Sequence, residues 1–79
     1  MRDPAACVRL GAALARERER QGLTQAAFAR ACELDRSHVS LVERGRREPR
    51  IGTVARLAGA LGVSWEWVYE EYDGAGEDA

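Results

Sequence analysis

The 79-residue chain has no lysine: its twelve basic residues are all arginine, a bias that genomic base composition can produce by itself. Proline occurs only at positions 4 and 49, while Ala, Leu and Val dominate a hydrophobic fraction of 46%. That balance excludes a disordered segment and suits a compact all-helical bundle. Two cysteines and one histidine are too few, and too widely spaced, for a disulfide framework or a zinc site, so Cys7 and Cys32 are expected to be small packing residues. No run approaches the roughly 18 apolar residues of a membrane span and no signal-peptide core follows Met1, so a cytosolic, cytoplasmic location is expected. There is no Ser/Cys–His constellation, paired-carboxylate motif, metal set or phosphate loop. Neither an enzyme nor a bound cofactor, metal or small-molecule ligand is expected.

What the chain does have is an uneven distribution of charge. The formal net charge is -1, yet residues 1–50 hold eleven Arg against seven acids and residues 51–79 one Arg against six. Within RGRREPR (44–50) four of seven residues are Arg. Exposed charges separated by more than about 8–10 Å are largely screened at physiological salt, so the local field governs what the surface attracts. An anionic partner is therefore expected near residues 36–50.

Capping signals divide the chain into five helical segments. Asp3-Pro4 starts the first, which runs to about Arg20 and stops at Gly22. Thr24 caps a second, built around Phe28 and thin-surfaced alanines. Glu33–Asp35 forms a short hinge in which Asp35 can cap a third, which Gly45 closes. Beyond Pro49, Ile51, Val54, Leu57, Ala58 and Leu61 repeat at helical spacing up to Gly62, after a poorly capped start at Arg50. Ser64 caps a fifth, with Trp65, Val68, Tyr69 and Tyr72 as an apolar stripe and Trp67 roughly 200° from Trp65. Seventy-nine residues allow one domain with a small core, placed at 1–72, and DGAGEDA (73–79) is expected to be an acidic flexible tail.

The third segment carries the functional signal. At about 100° per residue, Arg36, Ser37, Ser40, Leu41 and Arg44 fall within an arc of about 140°, with Val39 and Val42 on the opposite side. One face is thus buried and the other free. The free face offers guanidinium groups, hydroxyls and one apolar side chain, a set suited to guanine edges, phosphates and a thymine methyl. A solvated surface helix is the competing reading, although Glu and Lys are more usual there.

LG at 10–11, GLTQ at 22–25, FA at 28–29, LDRSHVS at 34–40, ERG at 43–45 and LAGALGVSWEWV at 57–68 together resemble the Cro/cI-type (XRE) helix-turn-helix regulators. The resemblance covers about residues 8–70 and extends to restriction-modification controller proteins. It implies an all-α, five-helix lambda-repressor-like domain whose second and third helices read double-stranded DNA. It also implies base contacts from Arg36, Ser37, Ser40 and Leu41, and phosphate contacts from Gln25, which in addition buttresses the reading helix, and from Arg44, Arg46, Arg47 and Arg50. Arg18 and Glu43 match a partly buried structural ion pair. Glu33 departs from the pattern, standing where the family usually has Gly in the turn. His38, at the edge between the buried and free faces, is open to a packing role or a DNA contact.

The expected activity is transcriptional regulation by a homodimer on a pseudo-palindromic operator, because one small domain recognises too short a site to be specific alone. Trp67, turned away from the Trp65 stripe, is the candidate dimer anchor; the alternative is that both tryptophans complete the core. A phage-like or antitoxin-type repressor fits as well as a controller protein. The rival from another class is a protein-interaction module of the same fold that does not bind DNA.

Overall fold

Local chemistry explains most of the helix boundaries. The computed structural model describes residues 3–74 and contains α1 (Pro4–Arg20), α2 (Gln25–Cys32), α3 (Arg36–Glu43), α4 (Ile51–Leu61) and α5 (Trp65–Asp73). The side chains of Asp3, Thr24 and Ser64 accept from the backbone N–H groups of Ala6, Ala27 and Trp67, capping α1, α2 and α5. Asp35 differs from expectation: it has the extended N-cap backbone of α3 but makes no side-chain cap. Its carbonyl oxygen instead receives the N–H groups of His38 and Val39. Arg50 leaves the start of α4 without a side-chain cap, as its sequence suggests.

The turn between α2 and α3 closes on Glu33 at φ 58°, ψ 43°, among the described residues the one non-glycine with positive φ. The N–H of Glu33 reaches Arg30 O and that of Leu34 reaches Ala29 O, a pattern usually built on glycine. Glu33 thus takes up the left-handed conformation of the usual Gly, which strains a residue with a Cβ, and the two bonds hold it there. Gly45, at φ 71°, serves the same purpose after α3. It also lies against the backbone of Val8 in α1, where a Cβ would collide.

Packing places α1 against α3, α4 and α5, and α2 against α3 and α4. The core is formed by Leu10, Leu14, Phe28, Val39, Val42, Leu57 and their neighbours, with Phe28 and Val39 fully enclosed. Both cysteines are buried as expected, Cys32 inside the core and Cys7 beside Glu48, whose Oε1 accepts from its Sγ. Burial pushes the Cys32 thiol up from its ordinary pKa, keeping it in the unreactive neutral form.

Two apolar expectations are corrected. Ile51 is 78% exposed, because as the first residue of α4 it projects past the packed interior to the rim of a surface groove. On α5 the expected stripe is split: Val68 and Tyr72 turn to the core, but Trp65 and Tyr69 do not. Val68 is buried and Trp67 is half-buried against the core, whereas Trp65 and Tyr69 are largely exposed. Arg9 Nε and Nη2 both donate to Tyr72 O and tie the end of α5 to α1. Asp73 remains helical and Gly74 is the buried left-handed cap; residues 75–79, the rest of the expected tail, lie outside the described residues.

Gly11 sets the spacing of α1 and α3. A Cβ there would run into the carbonyl oxygens of Val42 and Glu43, so the two backbones meet with no side chain between them. Gly59, in the interior of α4, faces open space. Gly11→Ala should therefore cost about 1–3 kcal/mol through overpacking, whereas Gly59→Ala should stabilise by about 0.5–1 kcal/mol through helix propensity. Urea denaturation of both variants checks the contrast: equal effects would contradict the close approach.

Candidate nucleic-acid interface

The connection from α2 to α3 turns the polar face of α3 outward. Val39 and Val42 are buried, Arg36, Ser37 and Arg44 are exposed, and His38, Ser40 and Leu41 are half-buried. Arg36 and Ser37 occupy the first turn of α3, beside the exposed turn residue Glu33 and the half-buried Gln25 at the start of α2. At the other end, Arg44 donates from Nε to Ser40 O, and the exposed Arg46, Arg47 and Arg50 follow in the loop to α4. The structure thus presents a row of arginines from the start of α3 to the start of α4. Its hydroxyls and one leucine lie between the two ends.

Beneath this face is a hydrogen-bonded cluster. Arg18 donates from Nε to Glu43 Oε2 at 2.7 Å and from Nη2 to Glu43 Oε1 at 3.1 Å, while its Nη1 donates to Leu23 O at 2.7 Å. The two side chains are only 10% and 5% exposed. Their planar, two-point geometry is the strong form of an Arg–carboxylate pair. The hydrogen bonds to Glu43 hold the Arg18 guanidinium even further toward the charged form than usual.

Glu43 has a second partner, Gln25, to which the resemblance gives a buttressing role at the reading helix without naming its contact. Gln25 Nε2 donates to Glu43 Oε1 at 2.9 Å, and Gln25 Oε1 accepts from Arg36 Nη1 at 3.4 Å. The bonded pairs are 25, 18 and 11 residues apart and join different helices, so no local periodicity pairs them. The hydrogen-bonded chain joins α1, α2 and both ends of α3.

A second surface borders the loop that carries these arginines. Between the start of α1, the loop before α4, and α5 there is an open groove of about 420 Å³ lined by Cys7, Leu10, Glu48, Pro49, Ile51, Val54, Trp65, Val68, Tyr69 and Tyr72. Its exposed apolar side chains are Ile51, Trp65 and Tyr69. The sequence signalled the aromatic residues but not their outward face. Trp67, the residue selected from the sequence, does not line the groove.

A helix-turn-helix family model matches residues 14–68, which include α2, the turn and α3 in full. The chain belongs to the XRE-type helix-turn-helix family. A helix-turn-helix relative, the uncharacterised HTH-type transcriptional regulator y4dJ of Sinorhizobium fredii (strain NBRC 101917 / NGR234), is 42% identical over 55 residues, covering 70% of this chain and 71% of that one. Among solved structures, the clp gene regulator ClgR of Corynebacterium glutamicum is similar with a TM-score of 0.81 and 35% identity, over 87% of this chain and 88% of that chain. The restriction-modification controller protein C.AhdI of Aeromonas hydrophila gives a TM-score of 0.78 and 36% identity, over 81% and 97%. The fold is thus that of the lambda-repressor type, and the family is one of non-enzymatic DNA-binding transcription regulators. Among the described residues no helix is long and apolar enough to cross a membrane.

The helix-turn-helix unit depends on Glu43 for its attachment to α1. Glu43→Ala leaves the buried Arg18 guanidinium without its counter-charge and should cost about 3–5 kcal/mol. Chemical denaturation measures this, and a loss below about 1 kcal/mol would mean that water replaces the carboxylate at no great cost.

Proposed function

We propose that the protein recognises a pseudo-palindromic operator as a homodimer, with α3 lying in the major groove of each half-site and the α3–α4 loop following the backbone. The observation that supports this reading is the exposed series Arg36, Ser37, Arg44, Arg46, Arg47 and Arg50. It places bidentate donors at one end of a reading helix and a cluster of cations at the other. Arg36, Ser37, Ser40 and Leu41 face base edges; guanine is the natural partner of Arg36 and a thymine methyl that of Leu41. Arg44, Arg46, Arg47 and Arg50 neutralise phosphates, and the second Nε2 hydrogen of Gln25 is available to another. These contacts position the helix, and the base contacts select the sequence.

The dimer reading rests on α5 and the groove beside it. Trp65, Tyr69 and Ile51 expose aromatic and aliphatic surface on one side, of the kind enriched at the centre of protein interfaces. A second copy covering it would bury that surface and place two reading helices on one duplex, about 34–36 Å apart for successive major grooves. Trp67 contributes only what its half-buried ring leaves exposed. A regulator of this kind works in the cytoplasm and responds through its own concentration and cooperative binding. The controller-protein reading is supported by the similarity to C.AhdI, and repression and activation are both compatible with it.

The same apolar groove and the acidic C-terminal half favour one rival, a protein-interaction module that does not bind DNA. A salt series separates the two. Operator affinity should fall linearly in log–log form with rising salt, and Arg46→Ala should flatten the slope by about one unit. Arg36→Ala should cost about 1–3 kcal/mol on the best site and relax preference at one base pair. Affinity for duplex DNA that is weak and insensitive to salt would favour the rival. For the dimer, sedimentation equilibrium should show a dimer that Trp65→Ala with Tyr69→Ala weakens at least tenfold; a wild-type monomer at micromolar concentration would sink that assignment.

A further inference from the structure

The loop after α3 contains one acid among its arginines. Residues 44–50 hold Arg44, Arg46, Arg47 and Arg50 with Glu48 between them, and a carboxylate so placed could pair with a neighbouring guanidinium and cancel its charge. No such pair forms. Among the described residues the ion pairs are those of Arg18 with Glu19 and Glu43 and of Arg20 with Glu17, so Glu48 takes part in none. Its Oε1 instead accepts from Cys7 Sγ of α1 at 3.5 Å, and both residues line the groove beside α5. Arg46, Arg47 and Arg50 are left exposed.

Two contacts fasten this loop to α1. Gly45 lies so close to Val8 that a Cβ would collide with the Val8 Cα, and further along the loop Glu48 meets Cys7, the residue before Val8. The span between these anchors is short. Its backbone is set at the α3 end by the Arg46 N–H bonding to Leu41 O, and at the other end by Pro49, which favours extended backbone at Glu48. Burial first, and the Glu48 carboxylate second, push the Tyr72 phenol above its ordinary pKa, so the field of the acid reaches the groove. A thiol is a weak donor. It has little to outweigh, because an exposed ion pair between Glu48 and a loop arginine is worth only about 1.4- to 5-fold in its equilibrium.

We propose that Cys7 and Glu48 are positioning residues for phosphate binding: the thiol keeps the carboxylate on the groove side of the loop, so that Arg46, Arg47 and Arg50 meet DNA uncompensated. This inference rests on the reading of those arginines as phosphate contacts. Released from Cys7, Glu48 competes with phosphates for the nearest guanidinium. Binding to every sequence then weakens alike, since phosphates carry no sequence information. A carboxylate that gives up its arginine to DNA also gathers a cation as the DNA loses one, so net counterion release falls and the salt dependence flattens.

The test measures binding to a short random-sequence duplex over a salt series, for the wild type, Cys7→Val, Cys7→Ser, Glu48→Gln and the Cys7→Val/Glu48→Gln double variant. Val fills the space of the thiol without a donor, and Ser keeps an O–H. Cys7→Val should weaken binding at low salt by about 2- to 5-fold, the worth of one exposed ion pair, and flatten the log–log slope by up to about one unit. Cys7→Ser should restore most of the affinity that Cys7→Val loses. Glu48→Gln should bind at least as tightly as the wild type, and in the double variant it should cancel the defect, because the competing charge has gone. That rescue separates positioning from damage to the fold or to a dimer, which removing a charge at position 48 does not repair. Should Cys7→Val fail to fold, Cys7→Ala makes the same comparison. A loss in Cys7→Val that Glu48→Gln does not restore overturns the proposal, as do affinity and slope unchanged in Cys7→Val. A wild type without salt-dependent binding overturns the phosphate reading of the loop, and this inference with it.

Discussion

The carboxylate of Glu43 is the point on which the arrangement of three helices depends. It takes two donors from Arg18 of α1 and one from Gln25 of α2, and it stands at the last turn of α3. Burying two charges is costly, and a buried ion pair is weak evidence of stability in itself. Its effect here is directional. The two-point contact has one good geometry, so α3 has one register against α1, and the absence of a side chain at Gly11 lets the backbones come close enough to satisfy it. The pair and the glycine are parts of one constraint.

That constraint has consequences for the charged surface. A net charge of -1 would suggest indifference to an anionic polymer, but the arginines of α3 and the following loop share one stretch of surface, while the acids of α5 belong to another element. Screening at physiological salt makes such separation effective. The buried arginine is also distinct from the exposed ones: Arg18 is consumed by Glu43 and Leu23, whereas Arg46, Arg47 and Arg50 remain exposed. Total charge counts these residues alike, and the fold does not.

The α5 surface shows the opposite relation between pattern and outcome. A helix with apolar residues on most of its circumference can turn either of two faces to the core, and its own periodicity does not choose. In the fold Val68, Trp67 and Tyr72 face the core, and Arg9 of α1 fastens the end of the helix at Tyr72 O. Trp65 and Tyr69 are left beside Ile51 around a groove. Exposed aromatic surface on a protein this small is a cost in solubility unless something covers it.

The sequence by itself determined the five helices, because caps at Asp3, Thr24 and Ser64 and left-handed stops at Gly22, Gly45 and Gly62 act within a few residues of the backbone they serve. It also determined which side of α3 is buried, since Val39 and Val42 leave only one apolar side to that helix. The family pattern marked Arg18 and Glu43 as partners, something that no local rule could do. Only the tertiary structure decided the rest: the rotation of α5, the exposure of Ile51, and the link from Glu43 through Gln25 to Arg36. Those features depend on groups brought together from distant parts of the chain, and on which of several chemically acceptable partners lies within hydrogen-bonding distance. Local periodicity carries no information about either.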